Sequence, residues 1–394
     1  SIDTWGVDYI LLKGEEEVLP CYAYRDSRTD DVIPQVHEHI SFARLYRKTG
    51  IQFQPFNTIY QLAALKNESP EQLEQADTML LSPDYYNFLL TGKRASEYTI
   101  ASTGQLVNPD TKDWDYELIR MLGFPEKLFT PLQKPGTILG RLTEEVQAEV
   151  GFDCSVVMVT SHDTASAVLA VPAKTPDFAY ISSGTWSLLG VELDHAICNE
   201  QSREANFTNE GGYAYTVRFL KNIMGLWMIQ SVRNEMNKAY SFAQLCEMAE
   251  EVKDFPSRVD VDEIRFFAPD SMIRTIQEAC RESGQPVPET PGELATVVYQ
   301  SLADCYQRSI SQLEAMTGKT YPAINIIGGG ANADYLNQLT ANSTGKTVYA
   351  GPTEATAIGN IACQMLACGD FSSVSEARAC IFDSFAVKTF VPAP

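Results

Sequence analysis

The sequence predicts an α/β protein of two domains, and three observations lead there. Strand-like apolar runs alternate with helical segments along the whole chain, the pattern of layered helices and sheet. The length, 394 residues, suits two or three domains at roughly 150 residues each. A stretch bracketed by prolines, Val171-Pro172-Ala173-Lys174-Thr175-Pro176, separates two strand–helix systems. The expected division is 1–172 and 173–394.

Taken in order, the chain opens on a short polar segment that runs into the strand-like Tyr9-Ile10-Leu11-Leu12, and Lys13-Gly14-Glu15-Glu16 then signals a turn before a second extended segment to Tyr24. From about Val36 to Leu90 the pattern is helical, with Gly50 and Gly92 as helix stops and Pro83 in a first turn. Ser155-Val156-Val157-Met158-Val159 is a continuous β-branched run, expected to be a strand buried on both faces. Further strands are expected over 178–191 and 212–220, and helices from 225 to 250. The clearest helix spans about 291 to 316: Thr290-Pro291-Gly292-Glu293 is a capping box with Pro at the first turn, and Gly318 closes it. The strand Ile324-Asn325-Ile326-Ile327, three glycines and another helix follow.

Composition narrows the function. With 30 Lys+Arg against 51 Asp+Glu, the net charge is −21, which argues against a nucleic-acid or anionic-membrane partner. No apolar run approaches the ~20 residues of a membrane span. Nine cysteines are scattered without a CxxC, mostly among apolar neighbours, and read as reduced core thiols of a cytoplasmic protein. His37 and His39 lie two apart on an expected helix and point in different directions, so they do not form a zinc pair.

Three segments ask for chemistry. Thr160-Ser161-His162-Asp163-Thr164 ends an apolar strand and passes into a small-residue helix, the place where α/β sheets bind ligands. Asp163 could serve there as general base on a hydroxyl, with His162 and Thr164 bonding the same substrate, or could be a helix N-cap in an ordinary turn. Ser182-Ser183-Gly184-Thr185-Trp186-Ser187 suits a two-residue type II′ hairpin whose amides form a phosphate nest, or a plain hairpin. Gly328-Gly329-Gly330 would let a ligand lie against backbone before a helix N-terminus, or is simply a tight turn. It is neither a Rossmann nor a P-loop pattern.

Together and in this order, these segments resemble the FGGY family of carbohydrate kinases. The likeness is carried by Ile2-Asp3-Thr4-Trp5-Gly6-Val7-Asp8, Pro83-Asp84-Tyr85, Leu90-Thr91-Gly92-Lys93, Gln105-Leu106-Val107-Asn108 and Ser161 to Val168. It continues through Ser182 to Ser187, Lys221-Asn222-Ile223-Met224-Gly225-Leu226-Trp227, the three glycines and Gly351 to Asn360. The resemblance spans essentially the whole chain.

It implies two actin-like ATPase (ribonuclease H-like) domains with an interdomain cleft, the first binding sugar and carrying the base, the second binding nucleotide. The implied reaction moves the γ-phosphoryl group of ATP to a primary hydroxyl of a ketose, O1 of L-rhamnulose by the closest match, with fuculose or xylulose as alternative acceptors. Asp163 matches the base; Gly6, His162, Thr164 and Asn222 match sugar contacts; Thr185, Gln230 and Gly329 match ATP contacts. Mg²⁺ bridging the phosphates is expected from the chemistry, with no protein ligand named. A small-molecule sugar and ATP are the implied partners of a monomer or weak dimer. The family's opening strands, with their Asp-x-Gly phosphate loop, have no counterpart in this chain, so weak turnover is an expectation, as is the alternative of an inactive fragment or a non-catalytic actin-fold module.

Overall fold

Helix and strand form where the local signals converge. A computed structural model describes residues 1–393. The strand β1 (Tyr9–Lys13) pairs antiparallel with β2 (Thr78–Leu81), Tyr9 opposite Leu81 and Leu12 opposite Thr78. β2 lies inside the stretch expected to be helical throughout. Its four residues are all buried, and so short an apolar run has no periodicity to separate strand from helix. Of the second extended segment only Glu16–Glu17 pairs with β1; beyond it Pro20 lacks a ladder donor. Helices α1 (Thr58–Glu68) and α2 (Ser82–Thr91) follow, and Gly92 ends α2 at φ 68° while Gly50 ends an earlier helix at φ 70°.

β3 (Thr137–Arg141) pairs antiparallel with β4 (Ser155–Met158), whose Ser155 is exposed. The β-branched run is buried on both faces, as expected, with Val156, Val157, Met158 and Val159 all inside, although its ladder has only two strands. It feeds α3 (Asp163–Leu169), buried from Ala165 to Leu169.

The chain divides into two compact units. The first comprises Ser1–Ala170, Glu192–Leu220 and Ala355–Ile381; the second comprises Val171–Val191, Lys221–Glu354 and the segment from Phe382. The two later segments of the first unit lie in the part of the sequence assigned to the second domain. One reason is local: α4 (Ala355–Cys368) lies so close to α3 that a Cβ on Gly359 would fall 1.7 Å from the Ser166 carbonyl oxygen. The other segment holds β7 (Phe207–Gly211) and the first half of β8 (Val217–Met224). The single strand expected over 212–220 is broken there by a tight turn, with Ala214 and Tyr215 at φ 57° and 64°.

The second unit is built on a mixed sheet. β5 (Ala179–Ser183) pairs antiparallel with β6 (Trp186–Leu193) and parallel with β9 (Ala323–Ile327). β9 pairs parallel with β10 (Thr347–Ala350), and β10 antiparallel with β11 (Lys388–Phe390). The long helix α6 (Pro291–Thr317) starts in the expected capping box, Thr290 and Glu293 bonding reciprocally, and ends at Gly318 with φ 65°. It follows α5 (Trp227–Glu235) and precedes α7 (Asp334–Thr344). Of the nine cysteines only Cys280, Cys305 and Cys363 are buried, while Cys21, Cys154, Cys368 and Cys380 are exposed. Apolar neighbours in sequence did not place those four in a core, because only one face of a helix or strand turns inward. Among the described residues no helix is long and apolar enough to cross a membrane.

Candidate active site

In the first unit, the opening segment runs beside the end of β4. The Thr4 amide donates to the Ser161 carbonyl at 2.9 Å and the Asp163 amide to the Thr4 carbonyl at 2.9 Å. This pairing sets Thr4 beside His162 and Asp163, with Gly6 two residues further along the opening segment. Asp163 is the first residue of α3, and the preceding His162 occupies the N-cap position, so Asp163 is not the helix cap. Its carboxylate is 45% exposed and meets only Thr164 Oγ1 at 3.1 Å and His162 Nε2 at 3.5 Å, both at Oδ1. A half-exposed carboxylate with spare lone pairs at a strand end can accept a proton from a hydroxyl.

Gly6 has its own reason. A Cβ there would sit 2.7 Å from Thr103 Oγ1. The next residue, Val7, has φ 71°, and the Asp8 amide donates back to the Gly6 carbonyl at 3.0 Å. A β-branched residue at positive φ is strained. The strain is held by Thr58 Oγ1 at 2.7 Å and Gln61 Nε2 at 3.2 Å on the Val7 carbonyl, and by Thr103 Oγ1 on its amide.

Sequence reasoning missed the groups that hold this segment. Glu97, fully buried, accepts from the Thr99 and Ile100 amides at 2.8 and 3.1 Å, from Thr99 Oγ1 at 2.5 Å and from the Ser161 amide at 3.1 Å. Burial raises its pKa, and those hydrogen bonds pull the other way. Beneath it lies Asp84, whose Oδ1 accepts from the Glu97 amide. Burial, with the nearby Glu97 charge, pushes the Asp84 carboxyl well above the usual range. Around His162, Arg218 Nη2 lies 3.0 Å from Nδ1, and Glu210 Oε2 lies 3.4 Å from the same nitrogen. The one signal for Arg218 was a charge inside the apolar strand Val217-Arg218-Phe219-Leu220.

The remaining expected residues, Thr185, Asn222, Gln230 and Gly329, belong to the second unit, whereas Gly6, His162 and Thr164 belong to the first. The β5–β6 loop is not a two-residue type II′ turn. Ser183 pairs with Ser187, which leaves three residues between them, and Gly184 does not have the positive φ that turn requires. Its amide donates to the Trp186 carbonyl at 2.8 Å, so it is not part of an open nest. The loop carbonyls instead receive the start of α5, Gly184 from the Leu226 amide and Thr185 from the Trp227 amide. Gly225 makes that approach possible, since a Cβ there would fall 2.5 Å from the Trp186 carbonyl carbon. Asn222 Oδ1, Trp227 Nε1 and Ser231 Oγ are buried without a partner, and such atoms ask for a ligand or water.

The three glycines have different reasons. A Cβ on Gly330 would meet Ser183 Oγ at 2.0 Å, and Gly328 has φ 80° beside the Ser183 carbonyl. Gly329 alone faces open space, as a ligand-contacting position would. The helix expected directly after Gly330 is a 3₁₀ turn, Gly329–Asn332, with α7 beginning only at Asp334. Asp334, the first residue of that helix, pairs with Lys388 at 2.7 Å, and no side chain caps the helix start.

This is the two-unit, mixed α/β architecture of an actin-like ATPase, with a carboxylate at a strand end and a glycine-lined loop. The N-terminal domain profile of the FGGY family of carbohydrate kinases matches residues 1–170, and the C-terminal domain profile matches residues 179–368. The chain belongs to the FGGY family of carbohydrate kinases, enzymes that use ATP as phosphoryl donor. It is 51% identical to a rhamnulokinase of Halalkalibacterium halodurans over 100% of this chain and 84% of that protein. It is 46% identical to a rhamnulokinase of Bacillus subtilis, over 100% of this chain and 81% of that one. Its fold is similar to a ligand-bound xylulose kinase from Lactobacillus acidophilus (TM-score 0.80, 19% identity, 100% of this chain and 79% of the other). It is equally similar to Plasmodium falciparum glycerol kinase with ADP (TM-score 0.80, 13% identity, 99% and 79%).

Proposed function

We propose that this kinase phosphorylates L-rhamnulose at O1, with Asp163 as the general base. The observation that carries the reading is the half-exposed Asp163 carboxylate at the strand end, in a chain about half identical to rhamnulokinases. Asp163 accepts the proton of O1–H as that oxygen attacks the γ-phosphorus; the bond from phosphorus to the bridging oxygen breaks, and ADP departs. Positioning and charge stabilisation supply most of the acceleration in such transfers.

His162 Nε2 and Thr164 Oγ1 orient the sugar hydroxyls, the backbone at Gly6, packed against Thr103, meets the sugar, and Asn222 Oδ1 accepts from a further hydroxyl. Thr185 bonds the transferred phosphoryl group, and Gln230 and Gly329 meet the nucleotide. In this reading 1–172 carries the sugar and the proton transfer and 173–394 the nucleotide, except that Asn222 reaches the sugar from the second part and the segments 192–220 and 355–381 pack with the first unit. Mg²⁺, which commonly keeps its waters and needs few carboxylates, would be carried mainly by phosphate oxygens and water. When bound it would neutralise charge on the β- and γ-phosphates. The cytoplasm, where ATP and sugar meet, is the proposed location.

The test is ADP release with a panel of ketoses. L-rhamnulose is expected to give the highest kcat/KM. Equal turnover of xylulose, fuculose or glycerol would remove the assignment of the acceptor, and no turnover with any of them would remove the reading of this chain as an active kinase.

A further inference from the structure

Behind His162 lies a charged pair that the reaction as described does not use. Arg218 is 0% exposed. Its Nε donates to the Gly211 carbonyl at 2.8 Å, and its Nη2 donates to Glu210 Oε2 at 3.0 Å and lies 3.0 Å from His162 Nδ1. Glu210 is 7% exposed; burial opposes its ionisation, but the Arg218 guanidinium beside it outweighs burial and holds the carboxyl below its usual pKa.

The geometry has a chemical consequence. A guanidinium has five N–H donors, no acceptor, and does not lose its proton in proteins. An Nη2–H that points at Nδ1 needs a lone pair there, because a second proton on Nδ1 would face it directly. The proton of a neutral His162 is then on Nε2, the nitrogen 3.5 Å from Asp163 Oδ1. We propose that Arg218, anchored by Glu210, is a positioning residue that sets His162 as the Nε2–H tautomer and so makes its site-facing nitrogen a hydrogen-bond donor. Asp163 Oδ1 then faces two donors, Thr164 Oγ1 and His162 Nε2, and Oδ2 is the oxygen left to take the substrate proton. This last consequence rests on Asp163 being the base; the tautomer does not.

Without Arg218, Glu210 becomes the only charged group on Nδ1 and would draw a proton there. The ring would turn into an Nδ1–H tautomer, whose Nε2 accepts rather than donates. The other charged groups facing His162 are Asp163 and Asp3.

The chain has four histidines, His37, His39, His162 and His195, which makes ¹⁵N-histidine NMR of the whole protein readable, with His162→Gln assigning the resonance. The wild type is expected to show Nδ1 as a bare, pyridine-type nitrogen and Nε2 as a protonated, pyrrole-type one. Arg218→Met is expected to turn Nδ1 pyrrole-type and to lower kcat by about tenfold or more with little change in the KM for ATP. Arg218→Lys keeps a donor and should restore the wild-type pattern. A wild-type spectrum with protonated Nδ1 overturns the proposal, even if Arg218→Met fails to fold. So does an unchanged tautomer in a folded Arg218→Met. Absence of kinase activity would instead count against the proposed reaction and leave the NMR result standing.

Discussion

In the first unit, His162 and Asp163 are held by buried side chains that themselves ionise: Glu97 on the Ser161 amide, and Arg218 with Glu210 on the His162 ring. In the second, Thr185 and Gly329 are held by backbone, with Gly225 against the β5–β6 loop and Gly328 and Gly330 against Ser183. The difference matches the roles we propose for the two halves. Proton transfer needs a titratable group kept in one orientation, and buried hydrogen bonds to charged partners supply that rigidity. Phosphate recognition needs close approach of amides, which the absence of a Cβ permits.

The contrast can be broken most directly at its reactive end. Asp163→Asn should lower kcat by about 10² to 10⁴ while ATP binding, followed by calorimetry, stays as in the wild type. Unchanged turnover would remove Asp163 from its role. Glu97→Ala should follow in size, because it leaves four donors without their acceptor. The expected loss is about 3 kcal/mol or more in urea unfolding, and a loss within experimental error would show that Glu97 does not pin the strand end.

The glycine loop offers a sharper comparison within three residues. Gly330→Ala should destabilise by about 1–3 kcal/mol through its clash with Ser183. Gly329→Ala should leave stability within about 0.5 kcal/mol yet raise the KM for ATP several-fold. If both variants behaved alike, Gly329 would not be the ligand-facing member.

The smallest effect expected is at Asp84. Its folded pKa lies well above the ordinary value, so the native state keeps a proton that the unfolded chain releases. That carboxyl's contribution to stability therefore falls as pH rises above the usual aspartate range. Asp84→Asn keeps the acceptor for the Glu97 amide and should flatten the fall in stability as pH rises above the usual aspartate range. An unaltered slope would mean that Asp84 titrates normally.

Not every part of this was readable beforehand. Helix α6 was legible to within a residue because capping box, first-turn Pro and terminal Gly act within a few residues of one another. The strand-end placement of Asp163 was legible for the same reason, since an apolar run ending in polar residues is a local pattern. β2 was not, because four apolar residues carry no period, and the β5–β6 loop was misread because its register depends on pairing rather than composition. Glu97 and Arg218 gave almost no signal: a buried charge looks in sequence like any exposed one, and the partners that tie them to the strand end, Ser161 and His162, lie 64 and 56 residues away along the chain.

The sequence by itself determined the family, the alternation of helix and strand, and the residue types at the reacting positions, because motifs and periodicity are short-range properties. Tertiary structure alone decided which of them share a unit, why Gly359 must be glycine, which of three glycines is open, and what stands behind His162. Those depend on contacts between segments far apart in the chain, where sterics and buried electrostatics act across space and leave no mark on local sequence.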